Sequence, residues 1–252
     1  LAASTAAPTI DVGVEPGGDV RTDRPVADAQ VAFDRGESVG RSIDDAVLLI
    51  GESIPGGTTT AMGVLTALGE PNAVSSSLPE NPVERKRRVV STGLEASGID
   101  AGSLSGSPVE AVATMGDPVL ATVAGLVAGA TATGTDVTLA GGSQMVAAAA
   151  LARHGGVDSP LALATTRFVE RDETFDVQEA ADALDLSLRV TDPGFDGADH
   201  VAFQRYRQGE AKEGVGMGGA LWLADREGVA MADVRRRIVD YYDRLVGDDG
   251  PD

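Results

Sequence analysis

The sequence predicts an α/β fold: a doubly wound, mainly parallel sheet flanked by helices in three layers, α/β/α. Three observations carry that reading. Short apolar runs such as AVLLI and DVTLA alternate with longer small-residue or amphipathic segments, the pattern of βαβ units. Two of these runs lead through glycines into helix-like segments, at GESIPGGTTT and at GGSQ. Prolines open other segments behind capping residues, Asn81-Pro82 and Asp117-Pro118, where the first turn of a helix tolerates them.

In chain order, PTIDVGV near the start reads as a weak strand and Asp28–Ser42 as a helix. The strand Ala46–Ile50 precedes helices Thr59–Leu68, Pro82–Ser97 and Pro118–Ala130. Strand Asp136–Ala140, helix Gln144–His154, strand Pro160–Thr165, helix Val177–Leu184 and strand Leu186–Val190 follow. Helices Gly218–Asp225 and Met231–Leu245 complete the pattern, ahead of the polar tail GDDGPD. No repeat or sharp compositional break divides the chain, so residues 1–252 are expected to form a single domain. Because the first residue is Leu rather than Met, an upstream N-terminal segment is expected to be lacking.

The 39 acidic and 20 basic residues give a net charge of -19, which opposes binding to nucleic acid and to anionic membranes. Only Lys86 and Lys212 are lysines, while Asp, Gly, Ala and Val abound. This composition resembles that of a haloarchaeal cytoplasm, where concentrated salt screens self-repulsion. The absence of cysteine excludes disulfides and thiolate chemistry and fits a cytoplasmic location. No apolar run reaches the ~20 residues of a membrane helix, and LAASTAAPTI lacks the features of a signal peptide.

Ligands of open parallel sheets gather at the carboxyl ends of the strands. GESIPGGTTT matches a nucleotide-triphosphate loop at Gly51, Gly56 and Thr58, but Gly57 replaces its lysine. Without that lysine, and with Glu52 beside the loop, a triphosphate–magnesium complex is disfavoured. One phosphate held by the amides of Gly56, Gly57, Thr58 and Thr59 fits better, as does a second cradle at Gly141, Gly142 and Ser143. Each turn can equally be a tight strand-to-helix connection. Lys86, within Glu84-Arg-Lys-Arg-Arg88, is a candidate for the missing cation, against the reading of a solvated helix face. Glu213, in Lys212-Glu-Gly-Val-Gly-Met-Gly-Gly219, could act as a base if burial raises its pKa, or be an ordinary loop glutamate.

Neither a metal nor a cofactor is expected: His154 and His200 are isolated, and TDPGFDGADH reads as a solvated turn. No G-x-S-x-G elbow supports a serine hydrolase.

GESIPGGTTTAMGVLTALG, the Lys86 helix, GDPVLATVAG, LAGGSQM and KEGVGMGGA occur in the order found in a known family. Over nearly the whole chain, the sequence resembles the archaeal relatives of nicotinate-nucleotide:dimethylbenzimidazole phosphoribosyltransferase. The resemblance implies transfer of phosphoribose from nicotinate mononucleotide to a benzimidazole-type base, forming the α-ribazole phosphate of the cobalamin lower ligand. It places the family's loop glutamate on Glu52, its phosphate-binding lysine on Lys86 and its catalytic glutamate on Glu213, with Gly214 and Gly216 beside the bound phosphoribosyl group. Gly57, Lys212 and Val215 depart from the family pattern, at its asparagine, glycine and threonine. The expected partners are nicotinate mononucleotide, an aromatic base and a second copy of the chain in a homodimer. The alternatives are a nucleotide-binding protein of the same fold without transferase activity and, more remotely, a kinase.

Overall fold

The computed structural model describes residues 11–213 and 216–246. Strands β1 (Val47–Gly51), β2 (Asp136–Ala140), β3 (Leu161–Thr166) and β4 (Leu186–Thr191) form one parallel sheet in the order β1-β2-β3-β4. The register aligns Ile50 with Leu139, Leu139 with Leu163, and Leu163 with Leu188. Since side chains alternate along a strand, these aliphatic residues share one face, and Leu49, Thr138, Ala140, Ala162, Ala164 and Arg189 share the other.

The aliphatic face joins one core cluster with Val123 and Val127 of α5 (Pro118–Ala132), Val146 and Leu151 of α6 (Ser143–His154) and Ala181 of α8 (Val177–Ala183). The small-residue face is covered by α10 (Met217–Arg226), so helices lie on both sides and the three layers are α/β/α. Small residues are needed there: a Cβ at Gly219 would lie 2.5 Å from the Ala140 Cβ, and one at Gly218 would lie 2.4 Å from the Thr165 Cα. Outside the aliphatic layer, α1 (Ala29–Arg41) lies against α5 at backbone contact, and a Cβ at Gly125 would sit 2.0 Å from the Phe33 carbonyl oxygen.

The remaining helices are α2 (Gly57–Leu68), α3 (Val83–Ser97), α4 (Pro108–Met115), α7 (Arg167–Glu170), α9 (Val201–Arg207) and α11 (Met231–Val246). Among the described residues, no helix is long and apolar enough to cross a membrane.

Two local expectations are corrected. The strand expected in PTIDVGV does not form at residues 11–14, where Asp11 Oδ1 accepts from the Gly13 N–H at 2.8 Å and Gly13 turns the chain at φ 66°; residues 8–10 lie outside the described residues. Asn81 does not cap α3. Pro82 occupies the cap position, and the Asn81 side chain instead donates to the Val74 carbonyl and accepts from Lys86, both at 2.8 Å or less. The cap at Asp117 forms as expected, its carboxylate accepting from the Leu120 N–H at 2.9 Å.

Candidate active site at the carboxyl edge of the sheet

The carboxyl ends of β1 and β2 open into a cavity of about 250 Å³. Its lining combines Glu52, Ile54, Gly56, Gly57 and Thr58 after β1 with Gly142, Ser143 and Gln144 after β2. Ser75, Ser76, Ser77, Lys212 and Glu213 close it from other segments. Both α2 and α6 therefore begin at the cavity, behind glycine caps at Gly56 and Gly142 that offer no side-chain acceptor. Their leading N–H groups and positive dipole ends suit an anion. Gly57 is required by packing, because a Cβ there would approach Ile54 Cγ2 to 2.6 Å and Gln144 Nε2 to 2.8 Å.

A buried polar network fixes the serine segment. The Ser75 N–H donates to Ser143 Oγ at 2.8 Å, the Ser75 hydroxyl donates to Asp172 Oδ2 at 2.5 Å, and Lys86 Nζ donates to the Ser75 carbonyl at 2.8 Å. Lys212 Nζ donates to the same Asp172 oxygen at 2.8 Å, so both lysines of the chain converge on one network. Burial opposes ionisation of Asp172, yet hydrogen bonds from Lys212, Ser75 and Thr174 outweigh it and bring its pKa down to about 2. Burial lowers the Lys86 pKa to about 8, aided by the charge of Lys212 and opposed by that of Asp172.

Three carboxyl groups gather on the other side. Burial, together with the charges of Asp117 and Glu213, raises the Glu52 pKa to about 7, and its buried Oε2 has no hydrogen-bond partner among the described residues. Burial also raises Asp117, against hydrogen bonds from Thr60 and the Leu120 and Val119 amides. Glu213 is raised by burial, opposed by the amides of Gly218 and Gly216; its Oε1 accepts from the Gly218 N–H at 2.6 Å. Glu213 thus serves as the capping acceptor of α10, whose glycines let that helix settle onto the strand ends. The cavity joins anion donors to carboxylates of raised basicity, an arrangement suited to an anionic ligand and to proton transfer.

A protein-family profile described as "Phosphoribosyltransferase" matches residues 25–201. A UPF0284 protein of Halobacterium salinarum is 54% identical over 246 residues, which are 97% of this chain and 74% of that protein. The chain belongs to this phosphoribosyltransferase family. A UPF0284 protein of Methanothermobacter thermautotrophicus is 46% identical over 239 residues, 92% of this chain and 66% of its own length. The solved nicotinate-nucleotide-dimethylbenzimidazole phosphoribosyltransferase of Thermus thermophilus shares the fold at a TM-score of 0.57 and 24% identity, covering 70% of this chain and 52% of its own.

In this family member, Glu52, Gly56, Gly57, Thr58, Gly142, Ser143 and Glu213 all line the cavity. Thr59 is already inside α2, its N–H bonded to the Gly56 carbonyl at 2.9 Å, and Gly141 lies against Met145 with its N–H on Ala164. Gly216 caps α10, and Gly214 lies outside the described residues. Lys86 stands one layer behind the cavity, against Ser75 and Asn81, whereas Lys212 lines it. Sequence reasoning missed the serines, Asp172 and the contribution of Asp117 to the carboxyl cluster. The triplet Ser75-Ser76-Ser77 was the available signal for the first.

The raised Glu52 pKa has a consequence for stability. Between about pH 4.5, its ordinary value, and about pH 7, the folded state holds a proton that the unfolded state releases, so stability falls as pH rises through that window. Glu52→Gln cannot ionise. Its melting temperature is expected to gain on wild type by about 2 °C or more between about pH 5 and about pH 8 at constant salt. Calorimetry showing a pH-independent difference would contradict the assignment.

Proposed function

We propose that the chain transfers phosphoribose from nicotinate mononucleotide to a benzimidazole-type base, yielding α-ribazole phosphate for the cobalamin lower ligand. The observation that supports this most is one cavity in which the starts of α2 and α6 and Lys212 face Glu52 and Glu213, two carboxyls whose pKa values burial raises. The phosphate lies on the amides of the two helix starts, with Lys212 as the adjacent cation and Lys86 holding the Ser75 backbone in place. A ring nitrogen of the accepting base attacks the ribosyl C1′. The bond from C1′ to the nicotinate nitrogen breaks, and its electron pair stays on that nitrogen. The second ring nitrogen gives its proton to Glu213, which prevents positive charge from remaining on the product.

Titration calorimetry tests the binding half of this reading. Lys212→Ala is expected to weaken nicotinate mononucleotide by roughly tenfold to a hundredfold, the range of a charge-assisted contact, and EDTA is expected to leave the affinity unchanged. Unchanged affinity in Lys212→Ala, or a requirement for Mg²⁺, would contradict it.

A further inference from the structure

The fold holds Lys212 at three points. The Thr166 hydroxyl donates to its carbonyl at 2.5 Å, the N–H of the preceding Ala211 donates to the Ser77 carbonyl at 2.8 Å, and its own Nζ donates to Asp172 Oδ2 at 2.8 Å. Ala211 lies at φ 58°, a left-handed conformation that a residue with a Cβ keeps only where its surroundings impose it. The backbone is thus strained immediately before the residue whose ammonium meets Asp172.

Asp172 divides its two oxygens between separate tasks. Oδ1 accepts from the N–H and the hydroxyl of Thr174, at 3.0 and 2.7 Å, which fixes the carboxylate within its own turn. Oδ2 accepts from the Ser75 hydroxyl at 2.5 Å and from Lys212. The Asp172 and Lys212 side chains are only 5% and 11% exposed. Ser75 and Lys212 line the first cavity, whereas Asp172 and Thr174 stand behind Lys212, in the wall of a neighbouring cavity of about 390 Å³. A lysine ammonium carries three protons. Among the described residues only Asp172 takes one from Lys212, which leaves two for a ligand.

A carboxylate directly behind the cation of an anion site opposes the anion by Coulomb repulsion, and Asp172, its pKa brought down to about 2, is ionised at any working pH. Its benefit has to be order. A free lysine side chain loses much rotamer freedom when it engages a ligand, and the Asp172 pair removes that freedom beforehand. We propose that Asp172 is a positioning residue for the donor: it fixes the Lys212 ammonium and the Ser75 segment, two walls of the first cavity, in the arrangement that receives the donor phosphate. The inference rests on the reading of Lys212 as the cation of that phosphate.

The two possible roles of the charge have opposite signs. If Asp172 acted on the phosphate only through its field, Asp172→Asn would bind nicotinate mononucleotide more tightly; if it positions Lys212, the variant binds more weakly. Titration calorimetry in concentrated salt on wild type, Asp172→Asn, Lys212→Ala and the double variant separates them. Asp172→Asn keeps the shape and an acceptor for Ser75, and is expected to weaken binding by roughly fivefold to tenfold. In steady state the donor KM is expected to rise in parallel, with kcat held within about twofold and the acceptor KM unchanged. The double variant is expected to match Lys212→Ala alone, because the effect passes through Lys212. A merely structural role would lower affinity by the same factor with or without Lys212. Tighter or unchanged binding in Asp172→Asn, or an undiminished effect in the Lys212→Ala background, would overturn the assignment. Thr174→Val covers the case in which Asp172→Asn does not fold: Thr174 is exposed and lies outside the first cavity, and its loss is expected to weaken binding by roughly twofold to threefold, unchanged affinity again overturning the assignment. Weaker binding in Lys212→Ala without any loss in Asp172→Asn removes the positioning role alone, whereas unchanged affinity in Lys212→Ala removes the donor-phosphate reading with it.

Discussion

Glu213→Gln is expected to lower turnover by roughly a hundredfold or more while nicotinate mononucleotide still binds. Gln keeps the shape and the acceptor oxygen that takes the Gly218 N–H at 2.6 Å, so α10 should keep its position. What disappears is the capacity to accept a proton. Burial raises the basicity of this carboxylate, and the Gly218 and Gly216 amides oppose that rise. Glu52 has a different character. Its pKa near 7 and its unpartnered buried oxygen make it a group that holds a proton over much of the working range. Glu52→Gln is therefore expected to cost less in turnover than Glu213→Gln. Measurement of kcat for the two variants side by side decides the roles, and near-wild-type turnover in Glu213→Gln would exchange them.

Dilution from molar potassium chloride to about 0.1 M salt is expected to unfold the chain, as the Debye length grows from about 3 to about 10 Å and charges across the surface begin to repel one another. The net charge of -19 supplies the repulsion. The ion pairs offer little resistance. Those of Arg21, Arg87 and Arg236 involve side chains that are 57%, 66% and 67% exposed, and pairs of that kind contribute at most about 1 kcal/mol. Among the described residues, the Lys212–Asp172 pair is buried. Circular dichroism during a salt titration follows the loss, and a melting temperature constant across that range would contradict the halophilic reading.

The central strands β2 and β3 were legible in the sequence because they are buried on both faces and appear as short, largely apolar runs. The helices that cross the sheet were legible for a related reason, being rich in small apolar residues and opened by Gly or Pro. What escaped was structure without a distinctive period. α4 begins at Ser107-Pro108, a start signal like that of α5, but it is only eight residues long and follows the loop-like AGSLSGS. α7 and α9 are shorter still, at four and seven residues.

At the site, the two glycine turns that open α2 and α6 at the cavity were legible because their glycines are a local signal and need no long-range information. The partnership of Asp172 with Ser75, Lys86 and Lys212 joins positions up to 97 residues apart in the chain. No local pattern encodes it. The same holds for Asp117, which reads locally as an N-cap and is one, yet also faces Glu52 in the fold. The aromatic cluster of Phe168, Phe195 and Tyr206 draws on three separate segments, and only the return of the chain beyond β4 brings them together.

The central claim is that this cavity supports phosphoribosyl transfer, and product analysis by mass spectrometry tests it most directly. The protein is incubated in concentrated salt with nicotinate mononucleotide and, in turn, a benzimidazole, a purine and a phenol. The account predicts nicotinate released in equal amount to a new riboside phosphate of at least one base, with both signals falling together in Glu213→Gln. Tight binding of nicotinate mononucleotide with no nicotinate released in the presence of any of these bases would contradict it, and would leave a nucleotide-binding protein of the same fold.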